Sequence, residues 1–226
     1  MTKTVSIGDE WARVATELSA ESLKLQSYDN TLVSFLSNSG ICGKEILDYG
    51  AGPAVLAYAL QKLHANVKVY DISPEMKQKA GARIGLENVI ESPEQIPANN
   101  FYVVVCNLVM CIVDETEAAR IASDLYKSVK KPGVVYVGFC NPLIFDVHES
   151  QLDFRDRTVH TYDENHTYWK TKKEGEYRIQ ENHRPIEWYE SVFRNVGFKA
   201  IIRHFTPEYE FNGRKIQDFV IFELKK

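Results

Sequence analysis

The 226-residue sequence predicts an α/β protein built on a doubly wound, mostly parallel sheet. Three observations carry this reading. Short apolar runs alternate with amphipathic stretches between residues 45 and 140. Two of those runs, Phe101–Leu108 and Val134–Cys140, are almost wholly apolar, as strands covered on both faces are. Two closing runs, Lys199–Phe205 and Gln217–Leu224, are joined by Thr206–Lys215, which leaves no room for a crossover helix. They should therefore pair antiparallel.

The elements follow in order. Residues 9–38 read as helices, with Trp11, Val14, Ala15 and Leu18 on one apolar face and Leu32, Phe35 and Leu36 on a second. Ser39-Gly40 breaks that pattern. Glu45–Tyr49 is a strand, Pro53–Leu63 a helix with proline in its first turn, and Val67–Asp71 the next strand. Ser73 caps a helix that Pro74 opens and that runs to about Ile84. Asn88–Glu91 is a short strand. Asp114 caps a helix reaching Lys130, and Lys131-Pro132-Gly133 ends it before Val134–Cys140. Residues 141–184 are polar and rich in aromatics and histidine. Within them Tyr168–Lys172 and Glu176–Gln180 flank Lys173-Glu174-Gly175, a hairpin signature. Pro185–Val196 returns to helix and Gly197 closes it. The organisation is one domain: a helical cap (1–38), a core (39–140 and 184–226) and a lid insertion (141–183).

Composition excludes several classes. The net charge is −4, and no stretch forms a basic groove, so nucleic acid is not the expected partner. The run Lys170-Thr171-Lys172-Lys173 reads as a solvated turn. No apolar run is long enough to span a bilayer, so no membrane partner is expected. The first residues lack the apolar core of a signal peptide, so a cytoplasmic protein is expected. Cys42, Cys106, Cys111 and Cys140 form no CxxC pair and no zinc-type spacing. They are expected to be reduced, and no metal site is predicted.

The chemistry is concentrated at Ile46-Leu47-Asp48-Tyr49-Gly50-Ala51-Gly52-Pro53-Ala54. This is a buried strand ending in a glycine turn that opens a helix. The next strand, Val67-Lys68-Val69-Tyr70, ends in Asp71, placed to accept hydrogen bonds from both hydroxyls of a ribose. Together they describe a pocket for an adenosine-containing cofactor. A nicotinamide-dependent oxidoreductase shares these features. Against it stand Val55, where the third glycine of GxGxxG would be, and the antiparallel close of the sheet.

Leu47-Asp48-Tyr49-Gly50-Ala51-Gly52 resembles the first motif of class I S-adenosylmethionine-dependent methyltransferases. Val69-Tyr70-Asp71-Ile72-Ser73-Pro74-Glu75-Met76 is similar to their second motif. Phe101–Val113 and Lys131-Pro132-Gly133-Val134-Val135 resemble their fourth- and fifth-strand segments. The resemblance implies a seven-stranded sheet with its antiparallel last strand between the fifth and sixth. It also implies S-adenosylmethionine as cofactor and S-adenosylhomocysteine as product. Asp48, Gly50 and Gly52 would lie near the methionine part, Asp71 would hold the ribose, and Ile72 would pack on adenine. Asn107 and Leu108 would line the methionyl amine and the sulfonium. Ser92 stands where an aspartate often takes the adenine amine, a contact that Glu91 or a backbone group could supply instead. Pro53 after the second glycine departs from the common pattern.

The family's N-terminal helices often bring an aromatic residue to the cofactor. Tyr28 is the candidate here, with packing at a helix junction as the other reading, while Trp11 is read as packing. His183-Arg184-Pro185-Ile186-Glu187-Trp188-Tyr189 resembles a segment of small-molecule methyltransferases, in which His183 would act as a base or orienter, or be structural. His148, His160 and His166 are lid or surface residues. The implied activity is in-line methyl transfer to an oxygen, nitrogen or carbon of a small-molecule acceptor. A non-catalytic S-adenosylmethionine-binding protein is the remaining alternative.

Overall fold

The computed structural model describes residues 28–38, 40–156, 160–173 and 178–226. The expected helix before Tyr28, with Trp11, and the aromatic Tyr177 lie outside these residues. Helix α1 (Asn30–Asn38) precedes β1 (Glu45–Tyr49), α2 (Val55–Lys62), β2 (Asn66–Tyr70), α3 (Pro74–Ile84) and β3 (Val89–Ile90). Then come β4 (Phe101–Asn107), α4 (Glu115–Ser128) and β5 (Val129–Cys140). The insertion supplies β6 (Asp153–Arg155), β7 (His166–Lys172) and β8 (Arg178–His183). The chain closes with α5 (Ile186–Val196), β9 (Ala200–Phe205), β10 (Tyr209–Phe211), β11 (Arg214–Ile216) and β12 (Phe219–Lys225).

One seven-stranded sheet runs in the order β3-β2-β1-β4-β5-β12-β9. The first five strands are parallel, and β12 pairs antiparallel with both β5 and β9. The antiparallel close is the one the sequence predicted, and its place inside the sheet is the one the family resemblance implied. Val103, Val104, Val105 and Cys106 of β4 are all fully buried, which explains why that strand shows no polar alternation. The caps also form as expected. Ser73 Oγ accepts from Met76 N at 3.3 Å, and Asp114 Oδ1 accepts from Glu117 N at 2.8 Å.

Several boundaries move, each for a local reason. Ala54 takes a left-handed conformation (φ +57°), so α2 starts at Val55 and Pro53 stays in the turn. Helix α4 stops at Ser128, and Lys131-Pro132-Gly133 lies inside β5 rather than before it. Phe101 pairs with Val129 but Val103 with Val134, so β5 carries the extra residues as a bulge. Strand β3 has two residues because only Val69 and Tyr70 offer it partners. The link between β9 and β12 carries the small hairpin β10–β11.

The insertion folds into its own antiparallel sheet, β6-β7-β8. Its β7 corrects the solvated-turn reading of Lys170–Lys173: Lys170 is 1% exposed. Strand alternation turns that side chain inward, where Lys170 Nζ meets Glu181 Oε1 at 2.6 Å and Asp153 Oδ2 at 3.6 Å. Four thiols are free, Cys42 exposed and Cys106, Cys111 and Cys140 buried. Among the described residues no helix is long and apolar enough to cross a membrane.

Candidate active site

The glycine turn is held to β2 by backbone hydrogen bonds. Gly50 N donates to Tyr70 O at 2.7 Å, and Ala51 N to the same oxygen at 3.1 Å. Gly50 has φ +72°, and a Cβ there would stand 2.3 Å from Val109 Cγ2. Glycine is therefore demanded twice, by conformation and by the loop that follows β4. Gly52 N donates to Asp71 Oδ2 at 2.8 Å, and Ser73 N to Asp71 Oδ1 at 2.9 Å. Burial raises the affinity of Asp71 for a proton, and these two backbone donors oppose that rise. Gly52 N and Ser73 N bond different carboxylate oxygens, and a carboxylate has about four acceptor sites, so capacity remains for a ligand hydroxyl. Beside it Ile72 is 56% exposed, a large apolar side chain presented at the sheet edge.

The tip of β4 completes that edge. Asp48 and Tyr49 pair with Val105 and Cys106, so the residues after both strands are neighbours. Leu108 adopts φ +57° and donates its N–H to Gly138 O at 2.8 Å. A leucine in this region is strained, and such strain concentrates at functional sites. Asn107 Oδ1 accepts from the Tyr28 hydroxyl at 2.5 Å. Tyr28 is fully buried, packed edge-on against Phe219 with centroids 5.1 Å apart, so it reaches the edge through Asn107. Asp48 is buried beneath the turn, and Ser92 is half-buried just past β3, bonded to Glu94. The structure thus brings Gly50, Gly52, Asp71, Ile72, Asn107 and Leu108 to one carboxyl edge.

A cavity of about 430 Å³ opens beyond the carboxyl end of β5, under the insertion. Asn141, Phe145, His166, Tyr168, His183 and Arg184 are among its walls. His160, His166 and His183 stack in sequence, with centroids 4.1 and 4.8 Å apart. His183 Nε2 lies 2.8 Å from the Tyr162 carbonyl. A carbonyl only accepts, so Nε2 carries the proton, and in the neutral ring Nδ1 is free to accept. Burial, above all, lowers the His183 pKa, although the Tyr162 bond opposes it. His148 and His160, like His166, line the cavity, so the lid histidines converge rather than scatter.

Other contacts in and behind the cavity wall join residues distant in sequence, which spacing does not reveal. Arg184 donates to Met110 O at 3.2 Å and Val113 O at 2.7 Å, and Asn182 N donates to Cys111 O at 2.7 Å. The end of β8 thereby clamps the loop after β4. Cys140 Sγ accepts from Lys170 Nζ at 3.0 Å, and Tyr168 donates to Glu181 Oε2 at 2.8 Å. Cys111 Sγ, Cys140 Sγ and a Glu181 oxygen all lie within 4.8 Å of one another. That spacing would suit a metal, but the Lys170 ammonium already sits among these atoms, so the cluster carries its own cation.

Comparison with known proteins agrees with this geometry. Residues 47–137 match the sequence profile of a methyltransferase domain. No curated protein is similar enough in sequence to match the chain. Among solved structures, the PH0226 protein of Pyrococcus horikoshii OT3 superposes with a TM-score of 0.68 at 16% identity, over 96% of this chain and 99% of that one. An S-adenosylmethionine-dependent methyltransferase of Clostridium acetobutylicum ATCC 824 gives 0.61 at 15% identity, over 96% and 98%. One from Mesorhizobium loti gives 0.62 at 14%, over 89% and 100%. The domain match and the antiparallel β12 decide against the nicotinamide alternative. Residues 47–137 are thus similar to a methyltransferase domain, and the chain as a whole has the fold of S-adenosylmethionine-dependent methyltransferases.

Proposed function

We propose that this protein transfers the methyl group of S-adenosylmethionine to a small-molecule acceptor held in the cavity under the insertion. The observation that carries the reading is Asp71, fixed by two backbone donors beside the glycine turn with acceptor capacity left over. Asp71 takes the ribose hydroxyls, and Ile72 and Ser92 lie where adenine would pack. Asp48, Gly50 and Gly52 border the methionine part, where the Gly50–Val109 fit keeps the backbone close. Asn107 and Leu108 face the reacting end, and Tyr28 positions Asn107 through its hydroxyl. The bound sulfonium would supply an electrophilic methyl group. This chain's task is alignment and exclusion of water, which together can supply roughly 7–11 kcal/mol. The cavity volume falls in the size class of small-molecule pockets. His183, with Nδ1 free to accept, is the group placed to take a proton from an acceptor that must lose one.

Calorimetry with S-adenosylmethionine and S-adenosylhomocysteine tests this directly. Removing a charged acceptor of two hydrogen bonds in Asp71→Ala should weaken both ligands by about 10- to 100-fold, while the chain stays folded. Failure of the intact protein to bind either ligand would sink the proposal.

A further inference from the structure

The cluster at the cavity floor holds more charge than the methyl-transfer reading uses. Lys170 and Arg155 are buried cations, and Lys172 reaches the same group, its Nζ 3.4 Å from Asp153 Oδ2. Asp153 and Glu181 pair with them directly, and the buried Asp218 carboxylate acts on Arg155 from close by. The remaining titratable groups in contact are the Tyr168 hydroxyl, which donates to Glu181, and the thiols of Cys111 and Cys140. The Lys170 ammonium, 3.0 Å from Cys140 Sγ, favours a thiolate there, against the Glu181 carboxylate 3.6 Å away. The hydrogen bond from Cys111 lowers the Cys140 pKa, burial and Glu181 oppose it, and Lys170 adds to the lowering.

Cys140 is 8% exposed and lines the cavity, the side from which a small oxidant would approach. The second sulfur, Cys111, lies within 4.8 Å of it and belongs to the loop that follows Leu108, with Cys111 Sγ 3.6 Å from Leu108 O. We propose that Cys111 and Cys140 are a dithiol that a hydroperoxide closes to a disulfide, and that closure pulls the Leu108 turn out of its donor-binding shape. The Cys140 thiolate attacks the distal peroxide oxygen and the O–O bond breaks; the alkoxide or hydroxide that leaves takes up from water the proton Cys140 released on ionising, and Cys140 becomes a sulfenic acid. The Cys111 sulfur then attacks that sulfur, and hydroxide departs with the Cys111 proton as water. Overall two thiols lose two electrons and two protons to the peroxide. Cys111 must move to bring the sulfurs to bonding distance, about 2 Å, and its bond to Leu108 O is lost. The second half of the proposal rests on the S-adenosylmethionine reading.

The test treats the whole folded chain with hydrogen peroxide, blocks remaining thiols, and maps peptides without reduction. The expected product joins the Cys111 and Cys140 peptides, separates on reduction with dithiothreitol, and still forms in Cys42→Ser. Oxidation confined to Cys42, or Cys140 carried to a sulfinic acid without linkage to Cys111, would overturn the dithiol. Calorimetry then compares the reduced and cross-linked protein. S-adenosylhomocysteine should bind about tenfold more weakly when cross-linked, within the usual range of coupling between sites, and recover on reduction. Unchanged affinity of the cross-linked protein would overturn control of the donor site. A reduced protein that binds no S-adenosylhomocysteine would instead fail the cofactor reading and leave the peptide result standing.

Discussion

Gly50 shows how one position can be fixed twice. Its positive φ excludes most side chains, and Val109 fills the place of a Cβ. Gly43 has a similar φ of +69° but nothing within 4 Å of a Cβ. Urea denaturation should therefore find Gly50→Ala more destabilising than Gly43→Ala by about 1–3 kcal/mol, the cost of overpacking. Adding Val109→Ala should recover that difference and leave the conformational part. Equal costs at both positions would contradict the steric account. Gly50, Gly52 and Asp71 were legible in the sequence because strand, turn and strand follow one another, so spacing alone encodes their meeting. Lys170 was not legible. Its partners Cys140 and Glu181 lie 30 and 11 residues away, and a lysine beside two more lysines reads as solvated until the strand face is known.

The insertion sheet shows the same contrast at the level of elements. Its hairpin was visible as two polar strands around a glycine turn, but its core is ionic, which periodicity does not reveal. Lys170 and Glu181 are 1% and 3% exposed, and each has been stripped of water against the other. Lys170→Met should cost about 3–5 kcal/mol because Glu181 is left charged and unpaired. The double variant Lys170→Met, Glu181→Leu should cost less than the sum of the single changes, since no lone charge remains. A chemical-denaturation cycle measures this, and strict additivity would show that the pair does not interact. The helices were the most readable elements, because Ser73, Asp114 and Gly197 mark their ends by local chemistry alone. Strand β5 was misjudged at its start because a bulge depends on register with β4, which no local signal carries.

For the whole molecule, acid stability follows from which groups hold protons in each state. His183 has a lowered pKa when folded, so below its ordinary value, about 6.5, the unfolded chain binds the extra proton first. Stability is complete above that pH and declines as pH falls toward the folded value. Glu181 is also held below its usual range, because Lys170 and Lys172 outweigh burial. Its contribution persists to lower pH and is lost as pH falls from about 4. Thermal melts across pH 3–8 should thus show two declines. His183→Gln should remove the upper one and leave the lower, and a melt profile unchanged by that substitution would contradict the assignment.

Strand β12 is the last in sequence yet interior in the sheet, flanked by β5 and β9. During synthesis, then, both of its neighbours leave the ribosome with an open edge. Neither can be hydrogen-bonded on that side until residues 219–225 emerge. The strands of the carboxyl edge that carries the glycine turn, β1, β2 and β4, are all complete in sequence by Asn107, long before β12. Mispairing with another chain is open to the bare edges of β5 and β9 only in that interval, and the closing strand ends it by occupying both.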